Sequence, residues 1–154
     1  MSFVEQVCQA LAEHGVRYAL VGGYAVALHG AVRGTVDVDL VVDWNLESLQ
    51  GAEQALRDLG LVSRLPVGAD DLFNFRDEYM SNRNLVAWNF YNPDDISQQV
   101  DLVISYDLKG RRRQRVAAPS GPLFLLTLED LVNMKRASGR PQDLADVEAL
   151  ERLR

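Results

Sequence analysis

The sequence predicts an α/β (α+β) fold, in which helices flank one mixed β-sheet. Three observations favour it. Val- and Leu-rich segments with polar residues at alternate positions read as strands, and they alternate with helical segments early in the chain. Helical periodicity dominates after Thr127, and no internal repeat, low-complexity tract or obvious linker interrupts the sequence. We therefore expect a single domain over residues 1–154, with a core over about 15–118 and a short C-terminal helical segment over about 127–153.

Composition limits the classes of function. Of the 154 residues, 47% are hydrophobic and 25% are charged, which is ordinary for a globular domain with a real core. No apolar run approaches the roughly 20 residues of a membrane-spanning helix, and the acidic N-terminus does not resemble a signal peptide. The single Cys8 excludes an internal disulfide, which favours a cytoplasmic protein. Because no apolar run is long enough to span a membrane, we also expect no membrane partner. A net charge of −6 argues against broad, non-specific nucleic-acid binding.

The first third of the chain has clear boundary signals. Ser2 and Glu5 form a capping-box pattern at the start of a helix that Gly15 ends. Asp43 and Asn45 can start a second long helix that ends at Gly60. The elements predicted between them are a strand over 17–21, a turn at 22–23, a helix over about 24–29 closed by Gly30, and a strand over 35–42.

The rest of the chain is predicted as strands followed by two helices. We expect a strand fragment and loop over 61–70, then a short strand over 72–75 and a polar turn over 76–83. Two strands over 84–90 and 99–106 follow, with a turn at 92–95 between them. The last predicted strand is an edge strand that begins after Gly110 and is stopped by Pro119. Thr127 caps a helix that ends at Gly139, and Pro141 begins the last one. The inward residues of that last helix are predicted to be Leu144, Val147, Leu150 and Leu153.

Two acids on one strand pose an electrostatic problem. Asp37 and Asp39 share a face of the strand over 35–42, where they repel each other and lose hydration unless a cation lies between them. Asp101 lies on the strand over 99–106, between Val100 and Leu102. If the two strands are neighbours, three carboxylates converge, and such hard oxygen ligands suit Mg²⁺ or Mn²⁺.

A glycine pair precedes these acids. The turn at Gly22 and Gly23 leads into a helix, whose free N–H groups and dipole favour an anion such as a phosphate. A phosphate site beside a two-metal carboxylate site is suited to phosphoryl or nucleotidyl transfer.

These motifs together resemble the nucleotidyltransferase superfamily, which has a polymerase beta-like fold. Its pattern is hG[GS], then [DE]h[DE]h, then h[DE]h, where h is hydrophobic; the matching segments are Val21-Gly22-Gly23, Asp37-Val38-Asp39-Leu40 and Val100-Asp101-Leu102. The lead-in over 33–35 and the run from Lys135 to Asp146 are most similar to the small bacterial branch that includes AbiEii-type toxins of toxin–antitoxin systems.

The resemblance implies roles for individual residues. Asp37, Asp39 and Asp101 would be the catalytic and metal-binding acids, with Asp101 also helping to deprotonate the acceptor hydroxyl. The residues implied to bind the nucleotide are Gly22, Gly23, Arg33, Thr35 and Lys135. Asp143 and Asp146 match the family's C-terminal acids. The cofactor would be Mg²⁺ or Mn²⁺, with an NTP as co-substrate.

Several residues also have a purely structural interpretation. Lys135, Asp143 and Asp146 could form a solvated helical face instead of part of a site, and both readings are open at this stage. Asp43 is expected to cap the following helix. The remaining residues given a structural role are His14 and His29, which no metal-ligand cluster surrounds, and the arginines 111, 112, 113 and 115, which read as a solvated face.

The acceptor is the least determined part of the function. The predicted reaction moves a nucleoside monophosphate from an NTP to a hydroxyl of RNA or protein, as in a toxin-like enzyme with a possible antitoxin. The alternatives are an aminoglycoside-type enzyme that acts on a small molecule, and a non-catalytic nucleotide- or partner-binding module. Only about 35 residues follow Pro119, so the acceptor site could require a homo-oligomer or partner chain. Gln142 also stands where relatives often have a basic residue.

Overall fold

The structure is a computed structural model that describes residues 1–31, 37–83 and 85–153. Within these residues the strands form one mixed sheet. In chain order the elements are α1 (Phe3–Glu13), β1 (Tyr18–Val21), α2 (Gly22–Leu28), β2 (Val38–Val42), α3 (Leu46–Asp58), β3 (Val62–Ser63), α4 (Ala69–Asn74), α5 (Arg76–Asn82), β4 (Ala87–Asn92), β5 (Asp95–Val103), β6 (Arg113–Val116), β7 (Leu123–Leu126), α6 (Leu128–Ser138) and α7 (Pro141–Glu151).

The sheet of the described residues has seven strands in the order β3-β4-β5-β2-β1-β7-β6. The pairs β2–β5 and β1–β7 are parallel, and the other neighbouring pairs are antiparallel. Helices flank the sheet: α1 packs on α3, α3 on α4, and α6 on α7. The expected mixed α/β fold with C-terminal helices is therefore confirmed, and β2 and β5 are direct neighbours in the sheet.

The core lies between the central strands and the helices. Its largest side chains include Trp88 and Phe90 of β4, whose ring centroids are 4.6 Å apart and which are completely buried. Leu20, Leu40 and Leu102 continue this apolar layer across β1, β2 and β5, with no exposed surface. Burial on this scale is the main force that holds the strands in register. No described helix has the length and apolarity that crossing a membrane would require.

The strongest boundary signals are confirmed. Ser2 caps α1 and accepts a hydrogen bond from the backbone N–H of Glu5. Asn45 caps α3 in the same way, and Thr127 caps α6. Gly139 ends α6 with a φ of 65°, the left-handed conformation that glycine adopts at low cost. These caps depend on short-range hydrogen bonds, which is why the sequence alone predicts them.

The segment over 69–82 is helical, so the expected strand over 72–75 and turn over 76–83 are wrong. The carboxylate of Asp71 accepts a hydrogen bond from the backbone N–H of Gly68 at 3.0 Å, which fixes the first turn of α4. Ala69 and Leu72 are three residues apart and are both buried, so they form a narrow helical stripe. Only two inward residues are too few to distinguish a helical period from a strand period in the sequence.

Strand β7 is absent from the sequence-based prediction. Its residues, Leu123–Leu126, are a continuous apolar run without alternation. The reason is its position, because β7 lies between β1 and β6 and three of its four side chains are buried. Strands covered on both faces lose the period of two that identifies half-exposed strands.

The start of the glycine motif also differs from the expectation. Helix α2 begins at Gly22 itself, so the predicted turn at 22–23 is the first turn of the helix.

Strand β2 begins at Val38, and Asp37 lies in a bend just before it, not within the strand. Residues 35 and 36 of the predicted strand lie outside the described residues.

The last helix is rotated relative to the prediction. Leu144 and Leu153 are 52% and 43% exposed, whereas Val147 and Leu150 are buried as expected. Two acids of α7, Asp143 and Asp146, take the inward positions instead. Their burial requires a buried cation, which α6 supplies as described below.

Candidate active site

The sheet register brings two of the predicted acids together. Asp39 of β2 and Asp101 of β5 are direct partners in the parallel pair, and both are half-buried. Neighbouring strands lie about 4.8 Å apart, so these carboxylates leave the sheet side by side. On the other side of β2, Val21 at the end of β1 is the partner of Asp39. The glycine motif and the acids therefore meet at one edge of the central strands.

Gly22 lies directly against Asp39. A Cβ atom on Gly22 would come within 2.7 Å of Cγ and 2.8 Å of Cβ of Asp39, closer than such atoms approach each other. Gly22 also has a φ of 67°, which other residues adopt only with strain. The neighbouring Gly23 is buried in α2. The structure thus requires a glycine at position 22 because of the acid opposite it.

The acids share an unfavourable electrostatic environment. Burial raises the pKa of Asp39 from 3.8 to about 7, with further contributions from the charges of Asp101 and Asp37, while Lys135 opposes the increase. Burial, and then the charge of Asp101, also raise the pKa of Asp37. The neighbouring negative charges thus make Asp39 and Asp37 harder to ionise, which is the arrangement that a bound cation relieves.

Asn89 is a residue of this site that sequence reasoning missed. It is the antiparallel partner of Asp101 on β4, and its Nδ2 donates a hydrogen bond to Oδ1 of Asp101 at 2.8 Å. Arg64 in turn donates from Nε to Oδ1 of Asn89 at 2.8 Å. The chain Arg64–Asn89–Asp101 fixes the orientation of the carboxylate. Only the pairing of β4 with β5 reveals it, because Asn89 by itself is an ordinary polar residue of an alternating strand.

The acids open into a cleft of about 240 Å³ between the sheet and the last two helices. The floor carries Asp39, Asp101 and Gly22, and the opposite wall carries Lys135, Arg140 and Asp143. Carboxylates thus line one side, and two cations with their partner Asp143 line the other. Such a cleft can accept a ligand that carries both metal-bound and free phosphate oxygens.

Lys135 is the centre of a buried ionic cluster. It is 6% exposed, and its Nζ lies 2.9 Å from Oδ2 of Asp146 and 3.6 Å from Oδ1 of Asp143. Asp143 and Asp146 are themselves 4% and 3% exposed. The interpretation of these three residues as a solvated helical face is therefore wrong. They join α6 to α7 beside the acids of the sheet.

Two further residues complete this cluster and were also missed. Arg140 donates from Nε to Oδ2 of Asp143 at 2.7 Å and from Nη2 to Oδ1 at 3.5 Å. Gln142 donates from Nε2 to Oδ1 of Asp146 at 3.0 Å. Gln142, where relatives often carry a basic residue, thus serves here as a neutral donor. The sequence signal was the dense run of polar residues between Lys135 and Asp146, which could not show which side chains face inward.

The donor set fits a divalent cation in its chemistry. Among residues 1–31, 37–83 and 85–153, no three His, Cys, Asp or Glu side chains are grouped as a metal site. The full convergence of three acids is therefore not reached: Asp39 and Asp101 are adjacent, and Asp37 acts on them electrostatically from the preceding bend. The hard carboxylate oxygens of Asp39 and Asp101 remain the donors that Mg²⁺ or Mn²⁺ prefers.

Other candidate residues have structural partners. Asp43 pairs with Arg17 at 3.0 Å and does not cap α3, since Asn45 performs that role. The ring of His14 contacts Asp58 at 3.0 Å, and that of His29 contacts the backbone oxygen of Leu126 at 2.8 Å. Arg33 and Thr35, two of the predicted nucleotide ligands, lie outside the described residues.

Two of the four arginines of the run contact the protein itself. Arg111 pairs with Asp130 at 3.4 Å and lies over the ring of Tyr106. Arg113 lies 3.9 Å from the ring centroid of Phe124 and donates to the backbone oxygen of Tyr18. None of the four is among the described residues that line the acid cleft, although Arg111 lines an adjoining pocket.

Comparison with known proteins connects this geometry to one family. Residues 2–152 match the family described as "Nucleotidyltransferase of unknown function (DUF6036)". No curated protein sequence matches the chain significantly.

Solved structures share the fold at low sequence identity. The lincosamide antibiotic adenylyltransferase LnuA, bound to lincomycin, superposes with a TM-score of 0.65 at 12% identity, over 99% of this chain and 96% of that one. An antigenic nucleotidyltransferase-like protein from Paracoccidioides brasiliensis gives 0.60 at 20% identity, over 96% and 72%. ANT(2″)-Ia in complex with adenylyl-2″-tobramycin gives 0.58 at 13% identity, over 96% and 84%. These similarities establish a common fold.

Proposed function

Since the chain belongs to a family of nucleotidyltransferases, described as being of unknown function (DUF6036), we propose that it moves a nucleoside monophosphate from an NTP to a hydroxyl acceptor. Pyrophosphate is the second product, and the reaction depends on Mg²⁺ or Mn²⁺. The observation that carries this proposal is the pair of adjacent acids, Asp39 and Asp101, at the floor of a cleft whose opposite wall carries Lys135. A cation-binding side and a phosphate-binding side face each other there.

Asp39 and Asp101 would hold the divalent cation, with Asp37 as a further ligand. When bound, the cation supplies positive charge for the oxygens of the attacked phosphate and the leaving pyrophosphate. Gly22 and Gly23 present backbone at the end of β1, and the absence of a side chain at position 22 keeps Asp39 accessible from that side. Lys135 adds positive charge within reach of Asp39, whose pKa it lowers.

Asp101 is the proposed acceptor of the hydroxyl proton. The acceptor oxygen attacks the α-phosphorus, the bond from that phosphorus to the bridging oxygen breaks, and its electron pair leaves with pyrophosphate. Asn89 donates to Oδ1 of Asp101, which leaves Oδ2 as the atom that takes the proton. A fixed carboxylate of this kind needs no reorientation at the moment of reaction.

Two acceptor classes follow from different observations. The motif resemblance favours RNA or protein, and a toxin-like enzyme in the cytoplasm would then have an antitoxin as partner. The lincosamide adenylyltransferase has nearly the same extent as this chain, which supports a small hydroxyl compound as the second candidate. If the acceptor is RNA or protein, a homo-oligomer or partner chain would supply further surface beside this small cleft to bind it.

Labelled transfer tests the proposal. The protein would be incubated with each α-³²P-labelled NTP and Mg²⁺ or Mn²⁺, with RNA, lysate proteins, aminoglycosides and lincosamides offered in turn. We expect cation-dependent labelling of one pool, lost in Asp39→Asn and kept in Asp94→Asn, an exposed acid of the β4–β5 turn. Tight NTP binding without transfer to any pool would instead favour a non-catalytic binding module.

A further inference from the structure

We propose that Arg140 is a phosphate ligand of the NTP: its guanidinium moves from Asp143 to the β- and γ-phosphates when the nucleotide enters the cleft. This inference rests on the proposed function and adds a specific binding residue to it. Lys135 is the cation that the sequence motif singles out, but Arg140 is the one whose contacts allow it to move.

The position and exposure of Arg140 suit such a role. Its residue lines the same cleft as Asp39 and Asp101, yet its side chain is 71% exposed. Nε and Nη2 contact Asp143, and Nη1 makes no hydrogen bond to any described residue. The pair joins an exposed guanidinium to a carboxylate that is only 5% exposed, so the guanidinium can leave because Lys135, 3.6 Å from the same carboxylate, stays as its counter-charge. The planar guanidinium can then bind two phosphate oxygens at once.

Lys135 differs in each of these respects. Its side chain is 8% exposed and lies between two buried carboxylates, at 2.9 and 3.6 Å. Moving it would leave buried acids without their cation, which is strongly unfavourable. When Arg140 leaves Asp143, by contrast, the ammonium of Lys135 remains as the counter-charge of that acid. The cluster therefore holds one fixed cation and one that is free to change partners.

Capping of α7 gives no reason for an arginine at this position, and within the helix only the ion pair with Asp143 offsets its cost. Arg140 is the N-cap of α7, and its side chain makes no capping hydrogen bond. Ser, Thr, Asp or Asn would cap the helix better, and a cation at a helix N-terminus opposes the dipole. A ligand in the cleft accounts for the positive charge at a position where the helix itself favours a neutral or acidic residue.

Arg152 provides a matched control on the same helix. Its side chain is 72% exposed, and it pairs with Glu148 at 2.7 Å, the same distance as between Arg140 and Asp143. Arg152 lies at the other end of α7 and does not line the cleft. The two arginines thus differ in two respects: Arg140 faces the acids of the sheet, and its carboxylate partner is 5% exposed, whereas Glu148 is 70% exposed.

Equilibrium titrations of the full chain test the inference. Each NTP, inorganic tripolyphosphate and a nucleoside monophosphate would be titrated with Mg²⁺ into the wild type, Arg140→Gln, Arg140→Lys and Arg152→Gln. We expect Arg140→Gln to weaken binding of NTP and tripolyphosphate about tenfold and to leave the monophosphate unchanged. Arg140→Lys should fall between wild type and Arg140→Gln, and Arg152→Gln should match wild type.

The outcomes separate this inference from the proposed function. If the wild type binds NTP and Arg140→Gln binds it within twofold of Arg152→Gln, Arg140 is not a phosphate ligand, whatever the protein catalyses. Equal weakening for the monophosphate also overturns the inference. If Arg140 has the expected effect but no acceptor is ever labelled, the binding role stands and the transferase fails. If Arg140→Gln unfolds at a lower temperature than the wild type, NTP binding by Arg140→Lys is compared with that by Arg152→Gln instead. Weaker binding by Arg140→Lys supports the inference, and equal binding overturns it.

Discussion

Asp39 is the residue at which function and stability oppose each other most directly. Its neighbours Asp101 and Asp37 and its own burial raise its pKa from 3.8 to about 7. Between these pH values the folded protein keeps a proton that the unfolded chain has lost, so the free energy of unfolding falls as the pH rises through this window. Above pH 7 the folded protein carries the full cost of the ionised carboxylate.

The substitution Asp39→Asn should therefore stabilise the cation-free protein at pH 8. We expect an increase of about 2 kcal/mol in the free energy of unfolding, once solvent screening of this half-buried group is included. The gain should vanish below about pH 3, where Asp39 is protonated in both states. Urea unfolding at pH 3 and pH 8 measures it, with Asp94→Asn as a control. Equal stability of wild type and Asp39→Asn at pH 8 would contradict the electrostatic account.

Asn89 should control the rate and not the affinity for the nucleotide. Asn89→Ala removes the hydrogen bond to Asp101 and should lower kcat about tenfold, with KM for the NTP nearly unchanged and a shifted pH profile. Asn92→Ala is the matched control, since Asn92 lies on the same strand and donates to Gln98 away from the acids. A loss of equal size in both variants would mean that Asn89 only supports the β4–β5 pair.

For single residues, the sequence predicts the acids of the site but not the side chains that pair with them. Asp39 and Asp101 are recognisable because their spacing and flanking apolar residues are local features. Asn89 and Arg140 become significant only through strand register and helix rotation, neither of which is written in local spacing. The functional roles of all the predicted site residues, Asp39 and Asp101 included, remain predictions.

At the scale of elements, the junction of β1 and α2 is the tightest point of the site. Gly22→Ala should destabilise the protein by about 3 kcal/mol and abolish transfer, because the new methyl group would overlap Asp39 in a strained backbone conformation. Gly60→Ala measures the cost of backbone strain without any new contact, because Gly60 has a φ of 87° and nothing lies within 4 Å of a Cβ there. We expect it to lower the free energy of unfolding by about 1 kcal/mol. Denaturant unfolding of both variants measures the difference; similar losses would remove the argument for contact with Asp39.

The pairing of α6 with α7 depends on Lys135. Lys135→Met keeps the length of the side chain but leaves Asp143 and Asp146 without its charge, and we expect a loss of about 3 kcal/mol in stability. Arg136→Met, which removes the exposed neighbouring pair with Glu151, should change stability by less than about 1 kcal/mol. Thermal unfolding distinguishes the two, and an unaffected Lys135→Met would show that the buried cluster is dispensable.

The same cluster explains where element prediction failed. The apolar stripe of α7 pointed to Leu144 and Leu153 as inward residues, but the inward positions of Asp143 and Asp146 leave Leu144 exposed, and Leu153 lies beyond the end of the helix at Glu151. The predictions for β7 and α4 failed for other reasons. Strand β7 lacks the alternation of apolar and polar residues, and helix α4 has only two buried positions. Long helices with caps, such as α1 and α3, were predictable because their signals are local.

At the scale of the whole molecule, the order of strands creates the site. Placing β2 between β1 and β5 puts the glycine motif on one side of Asp39 and Asp101 on the other, with α6 and α7 across the cleft. The sequence predicted a mixed sheet, which is confirmed, and made the meeting of the acids conditional on neighbouring strands, a condition that the pairing of β2 with β5 meets. The organisation of residues 1–154 as one domain remains a prediction.

The proposed reaction transfers the α-phosphate with its nucleoside. It is tested with two preparations of the preferred NTP, labelled at the α- or the γ-phosphate, with Mg²⁺ and the responsive acceptor pool. We expect that the α-label enters the acceptor and the γ-label appears in pyrophosphate in equal amounts, and that Asp101→Asn abolishes both. Entry of the γ-label into the acceptor, or γ-label released only as inorganic phosphate, would contradict nucleotidyl transfer at this site.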